Sequence, residues 1–153
     1  MAHPILDDLA QKREKLLAVI AALPDAELDR RSVEGWSIRE TLTHLINAEE
    51  DHRSVIAAYA RGRGDSVPTS LTLDEHNAKR LAERGPLTRD QILAGLDDQR
   101  RQTETLFEQL GEEQLAQRAH HPVIGDTTLR DIFRIIGVHD HIHRREIEKV
   151  LKG

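Results

Sequence analysis

The chain has 153 residues, of which 38% are hydrophobic, 32% charged and 3% aromatic, and its formal net charge is -5. This length predicts a single domain over residues 1–153, with a core large enough to fold without covalent cross-links. The lack of cysteine excludes disulfides, thiolate metal sites and a cysteine nucleophile, and the acidic balance with few aromatic rings excludes the usual features of a nucleic-acid-binding protein.

The predicted elements are helices. Start signals and apolar periodicity place them at residues 4–22, 37–61, 72–84, 88–110 and 128–151. Capping boxes begin three of them and a weaker variant begins the last: Ser37 to Glu40, Thr72 to Glu75, Thr88 to Gln91, and Thr128 to Asp131. Strands are hardly indicated, and the segments between the helices are interpreted as loops. Four long amphipathic helices and a short one predict an all-α protein, an antiparallel four-helix bundle of up-and-down style with a short extra helix.

Two polar segments are interpreted as solvated. The run DDQRRQTE, residues 97–104, mixes charges of both signs at helix-pair spacing, which predicts an exposed helix face. The run HHP, residues 120–122, precedes the last helix and is typical of a solvated loop, with a lid over a metal pocket as the alternative.

No apolar run approaches the roughly 20 residues of a membrane span. The opening stretch MAHPILDDLAQK lacks the pattern of a secretory signal, and we therefore expect a cytoplasmic protein without a membrane partner.

The last predicted helix contains three histidines in the run VHDHIH. His139 and His143 are four residues apart and share a face, whereas His141 points the other way. Their face is otherwise apolar and is formed, at three- and four-residue steps, by Leu129, Ile132, Ile136, Ile147 and Val150. Two imidazoles one turn apart suit a divalent transition metal, provided that other elements bring further ligands.

The helix predicted at residues 37–61 supplies the candidates for a third ligand. His44, Glu49 and His52 are polar residues on or near its apolar face. Periodicity places Glu49 and His52 near the centre of that face and His44 on its flank, so periodicity alone favours His52. A lone histidine on such a face is more often a hydrogen-bonded core residue than a ligand. The residue pattern therefore leaves both histidines open.

Three segments resemble the DinB/YfiT-like metalloprotein superfamily. GWSIRETLTHLINAEE is similar to the family segment in which a Trp precedes a helix carrying the first metal histidine, here Trp36 and His44. HDHIH resembles the closing His-x-x-x-His pair, here His139 and His143. DEHN, residues 74–77, resembles an Asp-Glu-x-Asn segment found in one branch of the superfamily.

The resemblance implies a four-helix bundle that holds one divalent metal ion through His44, His139 and His143, with His52 as the alternative ligand, and that forms a homodimer. Zinc, nickel, iron and copper all suit three imidazoles. Several characterised relatives are S-transferases or isomerases that use a low-molecular-weight thiol such as bacillithiol, mycothiol or glutathione. One departure is Glu146, where relatives often carry glutamine, which bears on a contact around the metal rather than on the metal itself.

The implied site suggests a reaction. Three neutral imidazoles leave a divalent ion with an open coordination position, as in catalytic zinc sites. Such an ion favours the thiolate form of a thiol, and because the chain has no cysteine the nucleophile would be a small-molecule thiol that attacks an electrophile. Our hypothesis is a metal-dependent thiol S-transferase. The alternatives are a metal-dependent hydrolase that activates water and a metal-binding module without catalysis, so that whether the chain is an enzyme stays open.

For hydrolysis, Glu49 or Asp140 is the candidate general base, because both are expected near the metal. The competing interpretation makes Asp140 a carboxylate that orients a metal-binding imidazole. Arg53, Arg80 and Arg84 are the candidate cations for the carboxylates of a thiol cofactor, although each is also typical of a solvated surface charge.

Overall fold

The computed structural model of the chain describes residues 3–32 and 35–153. Helices α1 to α6 span Pro4–Ala21, Ile38–Ala60, Leu73–Arg84, Arg89–Gln109, Glu112–Leu115 and Leu129–Lys152. The predicted all-α class is confirmed, and the boundaries of the five predicted helices lie within one residue of the observed ones. In the predicted loop before α2, residues 33 and 34 lie outside the described residues.

Local hydrogen bonds explain why the helix starts were predictable. At the start of α2, Ser37 accepts from the backbone N–H of Glu40, whose carboxylate accepts from the backbone N–H of Ser37. Thr88 and Gln91 exchange the same two bonds at the start of α4. Thr72 is the exception, because α3 begins after it without a side-chain capping bond.

Helices α1, α2, α4 and α6 form the bundle, with α6 packed against α1 and α2, and α4 packed against α2. Helices α2 and α4 run parallel, since Arg39 donates to the carbonyl of Leu87 near one end and Arg53 donates to the carbonyl of Gln99 farther along. This order differs from a simple up-and-down bundle. Helix α3 packs on α2 and returns the chain to the end at which α2 began.

The core has two apolar clusters, one towards each end of the bundle. One cluster joins the first turns of α1 and α6 to the last turns of α2 and α4, and it includes the edge-to-face pair Phe107 and Phe133. The other joins the opposite ends of the same four helices, around Leu16, Leu42 and Ile147. Four charged residues lie between the two clusters.

These four residues, Arg13, Glu49, Arg100 and Asp140, are named the charged layer, and each is at most 6% exposed. Arg13 donates to Glu49 and Asp140 at 2.7 and 2.9 Å. Arg100 donates to the same two carboxylates at 3.1 and 3.0 Å. Each helix of the bundle supplies one member, so the layer joins all four helices at mid-height.

The two arginines also connect α1 to α4. Arg13 donates to the carbonyl of Leu96, and Arg100 donates to the carbonyl of Leu9, each at 2.8 Å. Part of segment 97–104, predicted to be an exposed face, is thus buried. Its charged and polar members are satisfied inside the bundle, because a buried guanidinium is stable only when it is paired and hydrogen-bonded.

The segment before α6 contains a β-hairpin that the loop interpretation missed. Strands β1 (Arg118–His121) and β2 (Gly125–Thr128) pair antiparallel, and Gly125 adopts a φ of 85°, which favours glycine. The hydroxyl of Tyr59 accepts from the backbone N–H of His120 at 3.0 Å and so ties the hairpin to the last turn of α2. The solvated-loop interpretation of residues 120–122 is corrected for His121, which is 5% exposed.

None of the helices in the described ranges combines the length and the hydropathy that crossing a membrane would need.

Candidate metal centre

The structure brings together His44 from α2 with His139 and His143 from α6, and we name these three residues the histidine cluster. The Nε2 atom of His139 lies 3.2 Å from that of His44 and 3.0 Å from that of His143. One ring nitrogen of each residue lies within 4.8 Å of the others. Side chains that are 95 residues apart in the chain therefore point at one spot between α2 and α6.

The spacing of these nitrogens fits a single metal ion. Two imidazole nitrogens bound at about 2.0–2.1 Å to a tetrahedral zinc ion lie about 3.3 Å apart, which is close to both distances in the histidine cluster. Three ring nitrogens that face one another cannot all pair, because a neutral imidazole carries only one N–H. A shared cation would satisfy their lone pairs, and the donor set therefore fits a divalent transition metal.

The protonation states of His44 and His139 suit ligation. Burial and, to a lesser extent, the neighbouring His143 lower the pKa of His44 to about 3. Burial and, to a lesser extent, the neighbouring His143 and His44 lower the pKa of His139 to about 2. Both rings are therefore neutral near pH 7, and each keeps a lone pair that a metal can accept.

Glu146 orients His143. Its carboxylate accepts from Nδ1 of His143 at 2.8 Å, one helical turn along α6. A proton on Nδ1 leaves Nε2 as the lone-pair nitrogen, and Nε2 is the atom that faces the cluster. The glutamate that departs from the family pattern thus makes the carboxylate–histidine contact common around metal sites.

Trp36 packs against the cluster from the segment before α2. Its ring centroid lies 5.0 Å from that of His44. Trp36 also lines a cleft of about 550 Å³ between the start of α2 and α3, together with Thr43 and Leu81. A second cavity, of about 440 Å³, lies by the hairpin at Tyr59 and His120 and contains no member of the cluster.

His52, the alternative ligand, lies beside the cluster but bonds elsewhere. Its Nδ1 is 2.9 Å from Nε2 of His121, and its ring centroid is 6.1 Å from that of His139. Burial, followed by the neighbouring His121, lowers the pKa of His52 to about 4. The structure thus brings His44 into the cluster and pairs His52 with the hairpin.

The two candidate general bases, Glu49 and Asp140, lie in the charged layer rather than at the histidine cluster. Both carboxylates accept from Arg13 and Arg100, and Thr103 donates to Glu49 at 2.7 Å. Burial raises the pKa of Glu49, but Arg100 and Arg13 outweigh burial, and the pKa lies below its usual value. Glu49 is therefore a weak base, and the described residues include no imidazole bonded to either carboxylate.

Sequence reasoning missed the partners of these carboxylates. Arg13 falls on the apolar stripe of α1, between Leu9 and Leu16, and Arg100 falls on that of α4, between Leu96 and Phe107. A signal was available in the sequence. Two helices carry an arginine at a core position and two others carry an acidic residue at one, which indicates buried ion pairs between them.

Each of the three candidate arginines is hydrogen-bonded to an acidic or amide side chain. Arg80 donates to Glu50 at 2.5 Å and Arg84 donates to the side-chain oxygen of Asn47 at 2.6 Å, both between α3 and α2. Arg53 lies on the other side of α2, where it donates to Gln99 of α4 at 2.7 Å.

Comparison with known proteins gives matches in both sequence and fold. A family model described as the DinB superfamily matches residues 8–147. An uncharacterised protein from Clostridium difficile 630 has a TM-score of 0.80 at 13% identity, covering 99% of this chain and 98% of its own. An uncharacterised protein from Escherichia coli UTI89 has a TM-score of 0.79 at 17% identity, with 97% and 91% covered.

The structure of YfiT from Bacillus subtilis, described as "a probable metal-dependent hydrolase with an unusual four-helix bundle topology", has a TM-score of 0.76 at 19% identity, covering 97% of this chain and 84% of YfiT. No curated protein matches the chain significantly in sequence. At these identities the structural matches show the fold alone.

Proposed function

Because the chain belongs to the DinB superfamily, we propose that it is a divalent-metal-binding protein that uses His44, His139 and His143 as ligands and transfers a low-molecular-weight thiol to an electrophile. The observation that carries the proposal is the convergence of three Nε2 atoms, with two distances of 3.0 and 3.2 Å, on one spot. Zinc, nickel and iron all suit the donor set.

A bound divalent ion would supply Lewis acidity, which lowers the pKa of a thiol or of water and so favours the nucleophilic form. The side chains hold the ligand nitrogens in place: Glu146 fixes the ring of His143, and Trp36 packs against the ring of His44. The nucleophilic sulfur comes from a substrate, since the chain has no cysteine.

The setting of the acidic residues favours a thiol over water as the substrate. An unperturbed thiol has a pKa of about 8.5 and is partly ionised near neutrality, whereas water needs far stronger activation and usually a base. The two carboxylates expected to act as base, Glu49 and Asp140, are both engaged by arginines. The cleft lined by Trp36 is the proposed place for the organic part of the substrate, because Trp36 joins that cleft to His44.

Hydrolysis is the second candidate function, and the similarity to YfiT is the observation that favours it. A hydrolase would use the same three histidines and would turn over an activated ester without any thiol. A metal-binding protein without catalysis is the third, and it would show neither activity.

Elemental analysis tests the metal site. We expect the purified protein to contain about one transition-metal ion per chain, and we expect the His143→Ala variant to lose it. The matched control is His141→Ala, because His141 lies on the same helix and is bonded to Arg144 instead. Full metal content in His143→Ala would contradict the assignment.

Turnover assays separate the three functions. We expect metal-loaded protein to conjugate glutathione or another low-molecular-weight thiol to monochlorobimane, and chelation or His143→Ala to abolish the reaction. Hydrolysis of 4-nitrophenyl acetate that depends on metal but not on thiol would instead support a hydrolase. With cobalt in the site, absence of a sulfur-to-cobalt charge-transfer band over a panel of thiols would overturn the transferase proposal.

A further inference from the structure

A fourth imidazole lies beside the histidine cluster and is itself held by a fifth. His52 of α2 is two turns beyond His44, and its Nδ1 lies 2.9 Å from Nε2 of His121 at the end of β1. The ring centroids of His52 and His139 are 6.1 Å apart, compared with 4.5 to 5.1 Å within the cluster. His52 is thus adjacent to the candidate metal position but outside the converging set.

The hairpin determines which nitrogen of His121 carries the proton. The backbone N–H groups of Val123 and Ile124 both point at Nδ1 of His121, at 3.0 and 3.3 Å. A backbone N–H can only donate, so Nδ1 of His121 is an acceptor. The proton of the neutral ring then lies on Nε2, which faces His52.

The same reasoning extends to His52. Because Nε2 of His121 donates, Nδ1 of His52 accepts, and the proton of the neutral His52 ring lies on Nε2. A nitrogen that carries this proton has no lone pair for a metal ion. Within residues 3–32 and 35–153, Nε2 of His52 has no hydrogen-bond partner, and its N–H is free to donate.

We propose that His52 is a hydrogen-bond donor to the group bound at the histidine cluster, and that His121 is the positioning residue that holds His52 in the donor tautomer. This inference rests on the proposed function and adds a preference to it. The site would favour a group that arrives with a lone pair or negative charge next to His52, such as a thiolate sulfur or an oxyanion, over a group that presents its own N–H.

The hairpin and α2 would then both act on the bound group, through the position of one proton. The turn of the hairpin supplies the backbone donors, β1 supplies His121, and α2 supplies both His52 and the ligand His44. The spacing of the hairpin against α2 is maintained by Tyr59, which bonds to the backbone of His120 next to His121. A change in the hairpin would alter ligand binding without touching a metal ligand.

Nuclear magnetic resonance of the metal-free protein tests the tautomers directly. Long-range proton–nitrogen correlation spectra of nitrogen-15-labelled protein distinguish the two neutral forms of histidine, and the His52→Gln and His121→Gln variants assign the signals. We expect the Nε2–H form for both residues. The Nδ1–H form at His52 would overturn the inference, and this readout needs no metal.

Thiol binding to cobalt-loaded protein tests the donor. We expect His52→Phe to keep about one cobalt ion per chain but to bind 2-mercaptoethanol about 10- to 100-fold more weakly, as for loss of a hydrogen bond to a charged group. His121→Phe should weaken binding in the same direction, whereas His121→Gln, whose amide can donate to His52, should recover part of it. The matched control is His120→Phe, since His120 faces Asp126 and not His52.

The possible failures are distinct. Loss of cobalt in His52→Phe would mean that His52 is a metal ligand and not a donor. Unchanged thiol affinity in that variant would contradict the donor role. Neither result would contradict a metal site in the wild-type protein. Failure of the wild-type protein to bind cobalt would overturn the proposed function itself. Thermal melting of each variant identifies any that does not fold, and His52→Leu, which also lacks an N–H donor, then replaces His52→Phe in the thiol titration.

Discussion

The charged layer and the histidine cluster are both polar regions inside the bundle, yet they satisfy their polar atoms in different ways. In the charged layer, each carboxylate of Glu49 and Asp140 meets two guanidiniums. In the histidine cluster, three ring nitrogens of the same kind face one another. The first region pairs its charges within the chain, whereas the second gathers three ring nitrogens that could hold a metal ion. A binding site is therefore indicated by polar atoms that the protein does not pair by itself.

Removal of one member of the charged layer is expected to have the largest effect on stability. Glu49→Ala leaves two buried guanidiniums with one carboxylate between them, and we expect the free energy of unfolding to fall by about 3–5 kcal/mol. The measurement is urea denaturation of the metal-free protein. Glu50→Ala is the matched control, because the neighbouring Glu50 is half exposed and pairs with Arg80, and it should lose about 1 kcal/mol or less. Similar losses in both variants would mean that the layer is not the complete, buried network described above.

Removal of a carboxylate next to the histidine cluster should affect metal affinity more than folding. Glu146→Ala removes the acceptor that orients His143, and we expect metal affinity to fall about 10- to 100-fold. Competition with a chromophoric chelator measures this change. The control is Glu148→Ala on the same helix, since Glu148 pairs with Arg144 and not with a cluster histidine. Equal affinities in the two variants would separate Glu146 from the site.

The smallest expected effect is a pH dependence of the metal-free protein. Burial, followed by His143, lowers the pKa of folded His44 from 6.5 to about 3, so the unfolded state binds a proton that the folded state does not. Stability therefore falls as pH falls through that window, by at most about 1.4 kcal/mol per pH unit for this residue. Urea denaturation with a chelator at about pH 7 and about pH 5 should show a shallower decrease for His44→Gln than for the wild type. A steeper decrease in that variant would contradict a lowered pKa of His44 in the folded state.

The charged layer also shows why the candidate bases were misplaced by sequence reasoning. Glu49 and Asp140 do fall at buried positions, as helical periodicity indicated. Periodicity states which side of a helix is buried but not which residue of another helix it meets. The layer depends on Arg13 and Arg100, which reach the two carboxylates from α1 and α4.

The choice between His44 and His52 also depended on contacts that helical periodicity does not predict. Periodicity favoured His52, the family resemblance indicated His44, and in the structure both side chains turn towards α6. They differ in their neighbours, because the hairpin brings His121 against His52 and leaves His44 to meet His139. The hairpin was itself interpreted as a loop, since its pairing joins short strands that carry little apolar alternation.

The sequence by itself determined the five longer helices, their boundaries and the pairing of His139 with His143, but not the short helix α5. These features depend on residues within four positions of each other, through capping bonds and shared helix faces, and such contacts are the same in any fold. Only the tertiary structure decided that α2 runs parallel to α4, that two arginines close the charged layer and that His44 completes the histidine cluster. Those contacts join residues 36 or more positions apart, and packing of whole helices determines which of them meet.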